Sequence, residues 1–153
     1  MGMQRHHLLP CQLLKQDVFS AMIDHLGRHA IGFDDFRRNG LLLPATEDAS
    51  IALAMPLHRG PHRRYNEMVA ERVGQIEAGW SRARLVAPER AAGQVLMRFD
   101  LLQRALRRRL LDQRYGRFPL NSRDPLGHGM DFSELDAMAE TLWASTEMVV
   151  GDP

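Results

Sequence analysis

Cysteine, lysine and long apolar runs are what this chain has least of. Cys11 stands alone among 153 residues, which excludes an intrachain disulfide framework and a cysteine-based zinc site. Lys15 is the only lysine, so nearly all the positive charge is arginine, whose planar fork suits phosphate better than a point charge does. No apolar run approaches the ~20 residues that cross a bilayer, so no membrane partner is expected. The opening MGMQRHHLLPCQLL is broken by charge and histidine and lacks the apolar centre of a signal peptide. A cytoplasmic protein, or one exported without a Sec-type signal, is the expectation. Internal repeats, low-complexity tracts and linkers are not visible either.

What is present is an ordinary globular composition, 44% hydrophobic and 25% charged, long enough for one core. A single domain over residues 1–153 is expected. The net charge of +1 conceals an asymmetry: from Arg82 to Arg123 eleven arginines face three acids. From Asp124 to Pro153 there are seven acids and no Lys or Arg. The basic stretch, Arg104, Arg107, Arg108 and Arg109 above all, is either a solvated helix face or a surface that tracks a nucleic-acid backbone. The acidic segment is equally suited to dock on it from within the chain.

The expected fold is α+β and mostly helical. Arg5 to Leu9 reads as a short strand stopped by Pro10. Leu14, Val18, Met22 and Leu26 recur at helical spacing over Cys11 to Leu26, with Gly27 as the stop. Ile31 to Asp34 reads as a connector, Asn39-Gly40 as a turn, and Leu41 to Leu43 before Pro44 as a second strand. Thr46 caps a brief helix through Met55. Tyr65, Val69, Val73 (or Arg72), Ile76 and Trp80 give the stripe of a helix starting near His62, and Pro88 begins another running to about Tyr115. Along that one lie Val95, Phe99, Leu102, Leu106 and Leu110. Ser133 is a good N-cap for a last helix, Glu134 to Met148.

Histidine carries the chemistry. His25 and His29 are four apart, but Gly27 between them ends the helix they would share, and His128 is a plain loop residue. His58 and His62 differ: the spacing H-x3-H brings two imidazoles to one side of a segment entering a helix, and Pro61 fits its first position. The adjacent pair His6-His7 stands at the other end of the strand–turn–strand order.

As an ordered set these features resemble the HNH nuclease superfamily, whose site is a ββα-metal finger, and within it the AHH branch. The matching residues are Arg5-His6-His7-Leu8-Leu9-Pro10, Gly32-Phe33-Asp34, Asn39-Gly40-Leu41-Leu42-Leu43-Pro44, Leu57-His58-Arg59-Gly60-Pro61-His62 and Tyr65. Arg5 departs from the alanine of the family's name. The resemblance covers residues 5–80 as a nuclease core inside a helical domain, with 88–150 as a helical extension. It implies that His6, His58 and His62 bind one divalent cation (Mg, Mn, Ni, Co or Zn), three imidazoles being better suited to a transition metal. It implies His7 as general base, a task that fits an imidazole's ordinary pKa of about 6.5. Adjacent strand residues point to opposite faces, so His6 and His7 share a site only if the strand end is twisted or bulged. Asn39 becomes an orienting group bonded to backbone or ring near His7, where its alternative is a simple turn residue. Arg59, Arg63 and Arg64 are the phosphate-binding candidates, beside a helix N-terminus. Tyr65 packs under the finger.

The implied function is a metal-dependent endonuclease hydrolysing phosphodiester bonds in DNA, or else RNA. The family further implies a bacterial toxin or effector, with an acidic immunity protein as partner. An alternative is a helical nucleic-acid-binding or regulatory module with a structural zinc, which would need four protein ligands where the sequence offers three histidines. A third is a helical protein with incidental histidines.

Overall fold

A computed structural model describes residues 2–58 and 63–112 of the chain. The order is β1 (Met3–His7), a 3-10 helix (Cys11–Lys15), α1 (Asp17–Leu26), α2 (Arg28–Ile31), α3 (Phe36–Asn39), β2 (Gly40–Pro44), α4 (Glu47–Leu53), α5 (Arg63–Ala83) and α6 (Pro88–Leu111). The protein is α+β and mostly helical, as expected, with a two-stranded antiparallel sheet pairing β1 to β2. Among the described residues no helix is long and apolar enough to cross a membrane.

The two long helices are built as their periodicity predicts. Tyr65, Val69, Val73, Ile76 and Trp80 of α5 are all buried, and so are Val95, Phe99, Leu102, Leu106 and Leu110 of α6. These stripes pack on one another, and each large apolar side chain so buried contributes about 1.5–3 kcal/mol. Leu8, Leu9, Leu13, Phe19, Met22, Ile31, Phe33 and Leu43 complete the same core, so the sheet lies directly on it. Pro88 occupies the first turn of α6. Thr46 caps α4, its hydroxyl accepting from the Ala49 N–H at 3.3 Å.

Four expectations are corrected. The helix over Cys11 to Leu26 is two pieces, because Gln16 is extended (φ −89°, ψ 115°) between the 3-10 helix and α1. That break resets the helical phase: Val18 is 62% exposed, while Phe19 and Ile23 enter the core beside Met22. Between Gly27 and the Ile31 to Asp34 connector, which is turn from Gly32 onward, lies the helical turn α2, ended by Gly32 in the left-handed region (φ 88°), whose N–H bonds back to the Arg28 and His29 carbonyls. The Asn39-Gly40 pair is not a hairpin turn. Asn39 closes α3, and Gly40 starts β2 with ordinary extended backbone (φ −120°). Here the glycine answers a steric demand, since a Cβ at position 40 would lie 1.9 Å from Cδ2 of Phe36. The strand expected to reach Leu9 ends at His7, and α6 stops at Leu111. The Ser133 to Met148 helix, the acidic segment and His128 lie outside the described residues.

Candidate active site

β1 shows strict alternation where it matters. Paired in continuous register, His6 opposite Leu41 and His7 opposite Gly40, the two histidines take opposite faces. His6 is 1% exposed, with both ring nitrogens buried, whereas His7 is exposed. The pairing contains no bulge, so the condition set for the two to share a site is not met in that form. They approach one region by another route. A cleft of about 690 Å³ runs beside β1, whose second edge carries no strand among the described residues. Arg5 and His7 line it from the outer face of the strand, and His58 lines it together with Arg63, Asn66 and Glu67. His6 stands behind His58, ring centroids 5.2 Å apart at 72°.

The dipeptide that follows the histidines is fixed completely. The Leu8 N–H donates to the Asn39 carbonyl at 2.9 Å, and the Leu8 carbonyl accepts from the Tyr65 hydroxyl at 2.7 Å. The Leu9 N–H donates to Asn39 Oδ1 at 2.7 Å, and Asn39 Nδ2 donates to the Leu9 carbonyl at 3.1 Å and the Phe33 carbonyl at 3.2 Å. Every backbone donor and acceptor of Leu8 and Leu9 therefore has a partner, as buried peptide groups require. Asn39 itself is fully buried and lies beneath the strand end. Tyr65 also meets His6 edge-on, centroids 4.7 Å apart, and burial pushes its hydroxyl well above the ordinary phenol pKa.

His58 is anchored separately. Its N–H donates to the Pro44 carbonyl at 2.7 Å, tying it to the end of β2, and its Nδ1 lies 3.0 Å from Gln4 Oε1. Arg63 and Arg64 are both exposed on the first turn of α5, and Arg63 is the one among the cleft-lining residues. Arg59 and His62 lie outside the described residues. So the structure brings together His6, His7, His58 and Arg63. Asn39 sits below them, and the third expected ligand lies outside the described set.

The arginines of α6 divide. Arg107 turns inward and donates to the carbonyls of Arg37 at 2.8 Å and Gly40 at 2.7 Å. Arg104 pairs with Asp100 at 3.0 Å, and Arg108 is exposed. Gln103, 2% exposed, donates to the Ile31 carbonyl at 3.3 Å and approaches Asn39 Oδ1 at 3.5 Å. Residues of α6 thus hold both members of the Asn39-Gly40 pair. Nothing in the local sequence marks Gln103, Arg107 or Gln4 for these contacts, except that Gln4 lies two positions before His6. Near the start of α3, Asp34 accepts from Arg28 at 2.6 and 2.8 Å. The Arg28 hydrogen bonds, helped by the charges of Arg28, His29 and His7, hold the Asp34 carboxyl below the usual range.

The arrangement places imidazoles on and beside a short strand, with an arginine lining the same cleft. The comparison with protein families agrees: the model for AHH, a nuclease family of the HNH/ENDO VII superfamily with conserved AHH, matches residues 1–96. The chain belongs to that family, and the one adjacent histidine pair in its sequence, His6-His7, lies within the matched residues, preceded by Arg5. No curated protein and no solved structure matches it at a significant level.

The donor chemistry fits a divalent cation. His6 and His58 bring two imidazole rings to 5.2 Å between centroids, and imidazole is the commonest metal-binding side chain. Among the described residues no group of three or more His, Cys, Asp or Glu side chains that could hold a metal ion gathers.

Proposed function

We propose that this nuclease is a metal-dependent endonuclease that hydrolyses phosphodiester bonds in DNA, ahead of RNA. The observation that carries the reading is the common cleft of His7 and His58, with His6 directly behind His58 and Arg63 at its side. His6, His58 and His62 hold the cation, whether Mg, Mn, Ni, Co or Zn. When bound, it polarises the scissile phosphate and stabilises charge on the leaving oxygen.

The remaining steps are the work of the chain's own groups. Arg63, with Arg59 and Arg64, receives phosphate oxygens through charge-assisted hydrogen bonds and sets the strand across the cleft. His7, exposed and facing the same cleft, takes the proton from the attacking water. Its place on the opposite strand face from His6 leaves it within the cleft that His58 also lines. Asn39 is a positioning residue: by clamping Leu9 it fixes where the strand ends and so where His7 projects.

Residues 5–80 form the nuclease core of a single domain, and the helical extension serves it. We further propose a role as a bacterial toxin or effector, with an acidic protein that covers the cleft as the partner such a role needs.

Plasmid cleavage with each of the five metals, comparing wild type with His7→Ala and His58→Ala, tests this. Both variants should lose cleavage, with metal binding kept in His7→Ala and weakened in His58→Ala. Failure to cut duplex DNA, single-stranded DNA and RNA with any of the metals would overturn the reading.

A further inference from the structure

Two of the contacts that hold His58 do different things. The bond from its backbone N–H to the Pro44 carbonyl, 2.7 Å, fixes where the residue sits but does not orient the ring. The contact between its Nδ1 and Gln4 Oε1, 3.0 Å, acts on the ring itself. An amide oxygen can only accept, so this contact requires the ring proton on Nδ1. A neutral imidazole with its proton on Nδ1 carries its lone pair on Nε2. The partner of one ring nitrogen thereby decides which nitrogen can bind a cation.

Gln4 is well placed to do this. It lies on β1 two residues before His6, and therefore on the same face of the strand as that histidine. It is paired with Leu43, next to the Pro44 whose carbonyl anchors His58. The same two strands that present His6 thus also hold the backbone and the ring of His58. With the rings of His6 and His58 edge to face at 5.2 Å, a change of tautomer at His58 would alter the nitrogen offered beside His6.

We propose that Gln4 is a positioning residue for the cation site: its side-chain oxygen holds His58 as the Nδ1–H tautomer and presents Nε2 as the ligating nitrogen. This rests on the reading of His6 and His58 as ligands. Gln4 touches neither substrate nor cation, and its effect passes through His58.

Gln4→Met removes the acceptor at similar length, and Gln4→Glu keeps an acceptor-only oxygen. Gln4 is exposed, so both variants should keep the wild-type melting temperature. Nitrogen-15 NMR of the metal-free protein at a pH where histidine is neutral should show His58 as Nδ1–H in wild type and Gln4→Glu, and as a mixture in Gln4→Met. Calorimetric titration with Co should show affinity about tenfold lower in Gln4→Met, the lower end of what losing such a partner costs, and no loss in Gln4→Glu. If wild-type His58 carries its proton on Nε2, or Gln4→Met binds Co as tightly as wild type, the proposal is overturned while the ligand assignment stands. Absence of Co binding by wild type would instead overturn the ligand assignment, and the proposal with it.

Discussion

Asn39 grips Leu9 at both ends of its peptide, Oδ1 accepting from the Leu9 N–H at 2.7 Å and Nδ2 donating to the Leu9 carbonyl at 3.1 Å. Thirty residues apart in sequence, the two form a closed pair resembling one rung of a sheet. Because Leu9 is wholly buried, neither of its peptide groups can turn to water instead. This rung stands just past the end of β1, where no strand partner remains.

Asn39→Ala should therefore cost about 2–4 kcal/mol, through buried peptide groups left without partners. Urea denaturation measures it. A variant unfolding at the wild-type midpoint would mean that the clamp adds little.

Tyr65→Phe should cost about 1–2 kcal/mol, since the Leu8 carbonyl loses its donor with little change of volume. The phenol also makes a pH prediction. Its folded pKa is raised by burial, so the folded state keeps the proton that the unfolded chain releases near pH 10. Its contribution is whole below that pH and is lost as pH rises from there through the folded pKa. Alkaline denaturation of Tyr65→Phe should accordingly be shallower above pH ~10 than that of wild type. Parallel curves would count against it.

Gly40→Ala forces a methyl group into the ring of Phe36 and should destabilise by about 1–3 kcal/mol. Phe36 is 39% exposed, so the ring has somewhere to go, and the effect should stay within that range. Combining Gly40→Ala with Phe36→Ala should cost less than the two single changes added together. Strict additivity in that cycle would show that the clash is relieved by some other movement.

Arg107 and Arg108 should behave oppositely despite being neighbours. Arg107→Ala loses two bonds to backbone carbonyls and should destabilise by about 1.5–3 kcal/mol. Arg108 is exposed, and Arg108→Ala should leave stability unchanged. If the outer face of α6 touches nucleic acid, the salt dependence of binding should fall by about one counterion in Arg108→Ala alone. An equal stability loss in both variants would refute the division.

The two long helices were legible because their determinants are local and repeated. Tyr65, Val69, Val73, Ile76 and Trp80 recur at helical spacing whatever lies around them, and α5 buries all of them. The strands around His6 and Leu41 to Leu43, the Thr46 cap and the family membership were legible for the same reason, as short patterns of adjacent residues. The stripe through Leu14 and Val18 failed because periodicity assumes an unbroken helix, and one extended residue at Gln16 rotates everything after it.

By itself, then, the sequence determined the helical stripes, the order of the histidine motifs and the arginine-rich character. Tertiary structure alone decided that His6 goes inward and His7 outward on an unbulged strand, and that both His7 and His58 still line one cleft. It alone showed that the Asn39 amide takes the Leu9 backbone as its partner, and it made Gly40 the seat for a ring and Arg107 a brace rather than a surface charge. The physical reason is range. Periodicity and capping are fixed by neighbours a few residues away, whereas a buried hydrogen bond is fixed by which distant peptide group the fold leaves without a partner.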